Sequence, residues 1–163
     1  MEKATKIKKN IFFDDRGSFS PLSLRLLDKV WVQSNISFNP NKWTLRGLHF
    51  QKGWWSQAKL IKVINGKILD FVIDMRDGSD NKIEFFEMGS GDEIIVPKGY
   101  AHGFITLEEN TVVQYLVDND YKPEFEGNLV WLNFPEIEEK IKSIEPSFNK
   151  EMVIISDKDL VEK

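Results

Sequence analysis

Two histidines, three tyrosines and no cysteine leave this chain few groups able to move a proton or attack carbon near neutral pH. The histidines close two strand-like runs, Leu45-Arg46-Gly47-Leu48-His49-Phe50-Gln51 and Pro97-Lys98-Gly99-Tyr100-Ala101-His102-Gly103-Phe104. A neutral imidazole suits proton abstraction. A lone histidine in a strand is more often a hydrogen-bonded structural residue, and composition does not separate the two. The lack of cysteine excludes disulfides, thiol nucleophiles and thiolate metal sites. Metal sites on β scaffolds commonly take two or three imidazoles with a carboxylate. No His-x-His or His-x-x-x-His pair occurs and position 51 is Gln, which disfavours a metal enzyme and leaves only the two histidines with Asp70 or Asp74 as a ligand set. The run Gly89-Ser90-Gly91 lacks the lysine and the following helix of a phosphate loop, and no serine-hydrolase elbow is present.

These groups must be positioned by strands. Short β-branched or aromatic runs recur at 6–13, 29–38, 44–50, 57–65, 67–76, 83–88, 93–96, 101–106 and 111–117, divided by Gly, Asn, Asp and Pro. Asn65-Gly66 is the dipeptide of a two-residue hairpin with positive φ at both turn positions. Between 67 and 76, Leu69, Phe71, Ile73 and Met75 form a core face; Ile68, Asp70, Val72, Asp74 and Arg76 form a mixed face. The mixed face fits a strand lining a polar cavity and equally a solvated outer face. Helical signal is confined to 20–27 and 136–144. The expectation is one all-β domain over residues 1–163, a sandwich, jelly roll or barrel.

The 163 residues carry a formal net charge of −4, which gives no general affinity for nucleic acid; an anionic ligand must be met by local Arg and Lys. No apolar run approaches the roughly 18 residues of a membrane span. The charged start MEKATKIKKN lacks a signal-peptide core, so a cytoplasmic location is expected.

The two histidine runs, with Gln57-Ala58-Lys59-Leu60-Ile61 between them, resemble the dTDP-4-dehydrorhamnose 3,5-epimerase family. Phe13-Asp14-Asp15-Arg16-Gly17-Ser18-Phe19 is similar to its N-terminal strand, and Gln33, Asn35 and Ser37 to its second. Val113-Gln114-Tyr115-Leu116, Asp120-Tyr121 and Ile155-Ser156-Asp157-Lys158-Asp159 match its late strand and closing segment. The matches run in order over nearly the whole chain.

The resemblance implies a cupin-type double-stranded β-helix (a jelly roll) acting as a homodimer with no metal and no cofactor. Its implied reaction is epimerisation beside the 4-keto group of a nucleotide-diphosphate sugar. It implies His49 as general base held by Asp159, Tyr115 as proton donor across the sugar ring, and Lys59 at the developing enolate. It also implies Arg16 and Arg46 for the diphosphate, Phe19 against the base, and Gln33, Asn35, His102 and Tyr121 completing the pocket. His102 and Asp70 form a candidate second imidazole–carboxylate pair.

An acid and a base on opposite faces of a carbon invert it; on one face they only exchange its proton with solvent. Arg46, three positions before His49, faces the other way on an ideal strand, so a bulge at Gly47 or strand-end curvature would be needed to bring it close. Lys59 also reads as a solvated strand lysine, Tyr115 and Tyr121 as core aromatics, and Asp159 as part of a disordered terminus. The chain departs from the family at Phe19-Ser20-Pro21, which lacks a glutamate, at Leu132-Asn133-Phe134-Pro135, and at Gly53-Trp54-Trp55-Ser56, where proline is usual. Trp54 and Trp55 would then reshape the cavity mouth or seal a dimer interface. A 3,4-ketoisomerase and a non-catalytic nucleotide-sugar binder are the alternative functions.

Overall fold

A computed structural model of the chain describes residues 2–7, 11–15, 17–21 and 29–163. Its strands are β1 (Thr5–Ile7), β2 (Phe12–Asp14), β3 (Gly17–Phe19), β4 (Gln33–Asn39), β5 (Leu45–Gln51), β6 (Lys59–Asn65), β7 (Lys67–Asp74), β8 (Ile83–Gly89), β9 (Glu93–Val96), β10 (Tyr100–Thr106), β11 (Thr111–Val117) and β12 (Glu126–Asn128). They form two five-stranded antiparallel sheets, ordered β1-β9-β6-β11-β4 and β12-β5-β10-β7-β8, plus the β2–β3 hairpin. This is a jelly roll, one of the architectures the strand pattern allows and the one the family resemblance implies.

Two apolar layers explain why these strands fold together. Between the sheets, Ile61, Val63, Ile94 and Val113 of the first meet Ile68, Val72, Met88 and Phe104 of the second. On the outer face of the second sheet, Leu69, Phe71 and Ile73 pack with Trp131, Ile137 and Ile141. Ile137 and Ile141 come from α1 (Pro135–Ile144), the one α-helix among the described residues, whose first residue is Pro135 and whose first turn carries Glu136 and Glu138. Their spacing of four places both on the sheet-facing stripe, and both are buried.

Strand β7 is therefore buried on both faces. Its mixed face points between the sheets, not to solvent, and Asp70 is inaccessible there. Met75 departs from its expected core place: the strand ends at Asp74, and Met75 is exposed.

Asn65-Gly66 makes no hairpin. Strands β6 and β7 belong to different sheets, and of the two turn residues only Gly66 has positive φ, at 85°. The dipeptide instead turns the chain from one sheet to the other, where a Cβ on Gly66 would collide with Thr111. Two strand expectations also move. The first run splits into β1 and β2, and residues 29–32 precede β4 rather than belonging to it. Most of the expected helix at 20–27 lies outside the described residues, as does Arg16. Among the described residues no helix is long and apolar enough to cross a membrane.

Candidate active site

The apolar fill between the sheets occupies one end of the jelly roll. At the other end a cavity of about 640 Å³ opens, walled by β4, β6 and β11 of one sheet and β5, β10 and β12 of the other. The segment 154–159 runs along its edge.

Arg46 and His49 both line this cavity, although a regular strand would turn them apart. Their pairing with β10 explains it. His49 sits opposite His102 and Arg46 opposite Phe104, so three steps on β5 match two on β10. The extra residue is a bulge, which returns both side chains to one face. Gly47 permits it, with φ of 107° and its Cα so close to β10 that a Cβ would lie 2.6 Å from the His102 carbonyl oxygen.

His49 Nε2 lies 2.9 Å from Asp159 Oδ1, and the other carboxylate oxygen accepts from the Gly47 amide at 3.2 Å. Burial raises the Asp159 pKa, but the His49 hydrogen bond and charge, with the Gly47 amide, hold it below the ordinary carboxylate value. A carboxylate there fixes the ring's tautomer and plane. Asp159 is buried.

His102 Nε2 lies 2.7 Å from Asp70 Oδ2, making the second imidazole–carboxylate pair. Burial lowers the His102 pKa despite Asp70, and Lys59 and His49 lower it further. The lowered pKa favours the neutral ring, whose Nε2 faces the Asp70 carboxylate. The other Asp70 oxygen is buried without a hydrogen-bond partner among the described residues.

Lys59 lines the facing wall, and its ammonium donates to the His49 carbonyl at 3.1 Å. Burial lowers its pKa to about 8, against the opposing pull of Asp70 and Glu126. It is not a solvated strand lysine. Tyr115, on β11, lines the same wall. Burial raises its phenol pKa while Arg46 opposes, so the group is a proton donor at neutral pH. His49 and Tyr115 therefore come from different sheets and meet across one cavity.

Gln33, Asn35, Arg46 and Tyr121 also line the cavity. The Gln33 amide donates to Asn35 Oδ1 at 2.6 Å, and Arg46 Nε donates to Asn39 Oδ1 at 2.8 Å. Phe19 does not reach this space in its own chain; it stacks on Phe12 in the exposed β2–β3 hairpin. Trp54 and Trp55 do not line the cavity either. Trp54 is 88% exposed, and Trp55 packs on Phe125 with the Lys122 ammonium over its ring.

Sequence reading missed Gln51, Glu126 and Lys158. Gln51 donates to the carbonyls of Trp55 and Asp120 and accepts from the Lys122 amide, tying the 53–55 turn to the loop carrying Tyr121. Glu126 lines the cavity and hydrogen-bonds the Tyr121 hydroxyl. Its strand has only three residues, too few for periodicity to reveal. Lys158 adds a cation beside Asp159, and adjacency to that residue was its one available signal. Among the described residues, no group of three or more His, Cys, Asp or Glu could hold a metal ion.

The family model for dTDP-4-dehydrorhamnose 3,5-epimerase matches residues 1–163. The chain belongs to that family. Its class is that of an isomerase, an epimerase of the cupin fold. It is 33% identical over 141 residues to dTDP-4-dehydrorhamnose 3,5-epimerase of Methanothermobacter thermautotrophicus, spanning 80% of this chain and 75% of that one. The crystal structure of the Bacillus anthracis epimerase with TDP and PPi bound superposes with a TM-score of 0.81 at 32% identity, covering 98% of this chain and 93% of that one. The Legionella pneumophila enzyme in complex with dTDP-4-keto-L-rhamnose gives 0.81 at 28% identity, covering 98% and 86%.

Proposed function

We propose that this epimerase inverts C3, C5 or both in a nucleotide-linked 4-keto-6-deoxy sugar of the dTDP-4-keto-6-deoxyglucose type, in the cytoplasm. The observation carrying the reading is His49, braced by Asp159, on one wall of a cavity whose facing wall holds Tyr115 and Lys59. A C–H bond beside a ketone breaks only if the enolate is stabilised, so a cation facing the ketone oxygen is required. In this reading His49 takes the proton, Lys59 faces the oxyanion, and the Tyr115 hydroxyl delivers a proton to the opposite face. The new C–H bond regenerates the ketone, and solvent resets the phenol and the imidazole. No oxidant or leaving group is involved, so product and substrate are isomers.

Arg46 and Lys158 are the cations for the diphosphate, with Arg16 as a family match. Gln33, Asn35, His102, Glu126 and Tyr121 shape the pocket. A homodimer belongs to the same reading: Phe12, Phe13 and Phe19 of the hairpin and Ile36 and Phe38 of edge strand β4 are all exposed. Phe19 would then reach the partner's nucleotide.

Incubation with dTDP-4-keto-6-deoxyglucose in deuterated water tests the chemistry. Deuterium is expected at C3, C5 or both. No incorporation from any nucleotide-linked 4-keto sugar overturns the reading, a 3-keto product replaces it with ketoisomerisation, and binding without exchange in wild type and His49→Ala alike makes the protein a binder.

A further inference from the structure

The carboxylate that braces His49 sits on a strap, residues 154–163; Ile155 packs on the core, while Leu160 and Val161 are 42% and 59% exposed. At its start the strap is pinned to the second sheet, where Leu45 donates to the Ile154 carbonyl at 2.9 Å and Ile154 to that of Trp43 at 2.9 Å. Beyond Ile154, among the described residues, its main chain meets the sheet through one residue, Asn128.

Asn128 lies on β12 directly opposite His49 in the antiparallel register and is 2% exposed. Its amide nitrogen donates to the Asp159 carbonyl at 3.2 Å and the Val161 carbonyl at 2.8 Å. Its main-chain carbonyl accepts from the Lys163 amide at 3.2 Å. The side chain therefore grips the strap at Asp159 itself and two residues beyond. Lys163 Nζ on Glu126 and Asn133 on Glu162 add only exposed contacts further along.

This grip leaves the Asn128 side-chain oxygen buried without a hydrogen-bond partner among the described residues. An unsatisfied buried polar atom costs stability that an apolar residue of similar volume would not. The asparagine thus brings two donors to the strap at a cost to the fold, as expected of a residue whose use lies in placement.

We propose that Asn128 is a positioning residue of the epimerase: it sets the Asp159 carboxylate against His49 Nε2 and acts on proton abstraction only through that pair. The inference rests on the reading of His49 as the base. A displacement near 1 Å in such an array costs roughly a hundredfold in rate. Releasing the strap should therefore lower kcat; of the proposed diphosphate cations, Arg46 on β5 stays in place, while Lys158 lies on the strap and shifts with it.

The experiment compares Asn128→Ala, Asn128→Leu, Asp159→Asn and the Asn128→Ala/Asp159→Asn double variant in the full chain. It reads deuterium exchange into dTDP-4-keto-6-deoxyglucose, and the His49 ring N–H by nitrogen-15 NMR of the ligand-free protein. Asn128→Ala and Asn128→Leu should lower kcat roughly 10- to 100-fold, with any rise in KM no larger than that of Lys158→Ala. Both should lose the protected His49 ring signal, as Asp159→Asn does. The double variant should be no slower than Asp159→Asn alone, because the two residues act through one pair. If Asn128→Leu does not fold, Asn128→Ser, which keeps one donor, takes its place and should fall between wild type and Asn128→Ala. Wild-type kcat and ring signal in the folded Asn128 variants overturn the proposal, as does a double variant whose loss is the product of the singles. If His49→Ala retains exchange, the base assignment has failed instead, and the ring signal alone then decides whether Asn128 holds the pair.

Discussion

Asp159 and His49 are 110 residues apart in sequence and 2.9 Å apart at Oδ1 and Nε2. Replacing the carboxylate by Asp159→Asn removes the charge while nearly preserving shape. The expected outcome is a kcat lower by roughly a hundred- to ten-thousand-fold, with the fold intact by circular dichroism. His49→Ala should abolish exchange altogether. A folded Asp159→Asn protein with wild-type kcat would remove Asp159 from the site.

Tyr115 and His49 face each other from different sheets, so their losses should separate. Tyr115→Phe removes the proposed proton donor but leaves the proposed base. Exchange of the substrate proton with deuterated solvent should persist within about tenfold, while inversion slows by roughly a hundredfold. Product stereochemistry by proton NMR, set against mass-detected deuterium, distinguishes the two. Equal loss of both would argue against a separate donor.

The buried Lys59 titrates at about 8, which gives the rate an alkaline limb. As pH rises through about 8 the ammonium facing the enolate is lost and kcat should fall. Lys59→Met should remove that limb and lower kcat roughly a hundred- to thousandfold. Stability should move the other way. Because the folded pKa lies below the ordinary 10.5, between about 8 and 10.5 the unfolded chain binds more protons and stability rises with pH. Lys59→Met should thus be more stable than wild type at pH 7 by roughly 3 kcal/mol, the gain shrinking above about 8 and vanishing beyond 10.5. Urea unfolding at several pH values checks the sign.

Gly47 allows the bulge that turns Arg46 and His49 to one face. Gly47→Ala would add a Cβ 2.6 Å from the His102 carbonyl oxygen at a φ of 107°. The expected loss is about 3 kcal/mol by urea unfolding, with activity falling further than the folded fraction explains. A stable, active Gly47→Ala protein would show that the bulge forms without glycine.

Most strands could be read from the chain because period-two alternation is a local property: β9 and β11 fall where the pattern places them. Partnership is not local. Asn65-Gly66 carries the same dipeptide whether its strands pair or part, and only burial of β7 on both faces sends them to different sheets. The three-residue β12 is too short to announce itself.

The sequence by itself determined the family and the jelly roll and singled out His49 as the candidate base, because those rest on ordered motifs and alternating side chains. Tertiary structure decided what surrounds the base. Long-range register placed Asp159 beside His49, a one-residue bulge brought Arg46 to the same face, and closure of two sheets set Tyr115 and Lys59 opposite. The Asp159 and Tyr115 placements are contacts across tens of residues, fixed by burying apolar surface over the whole chain, whereas the bulge has a local signal in Gly47.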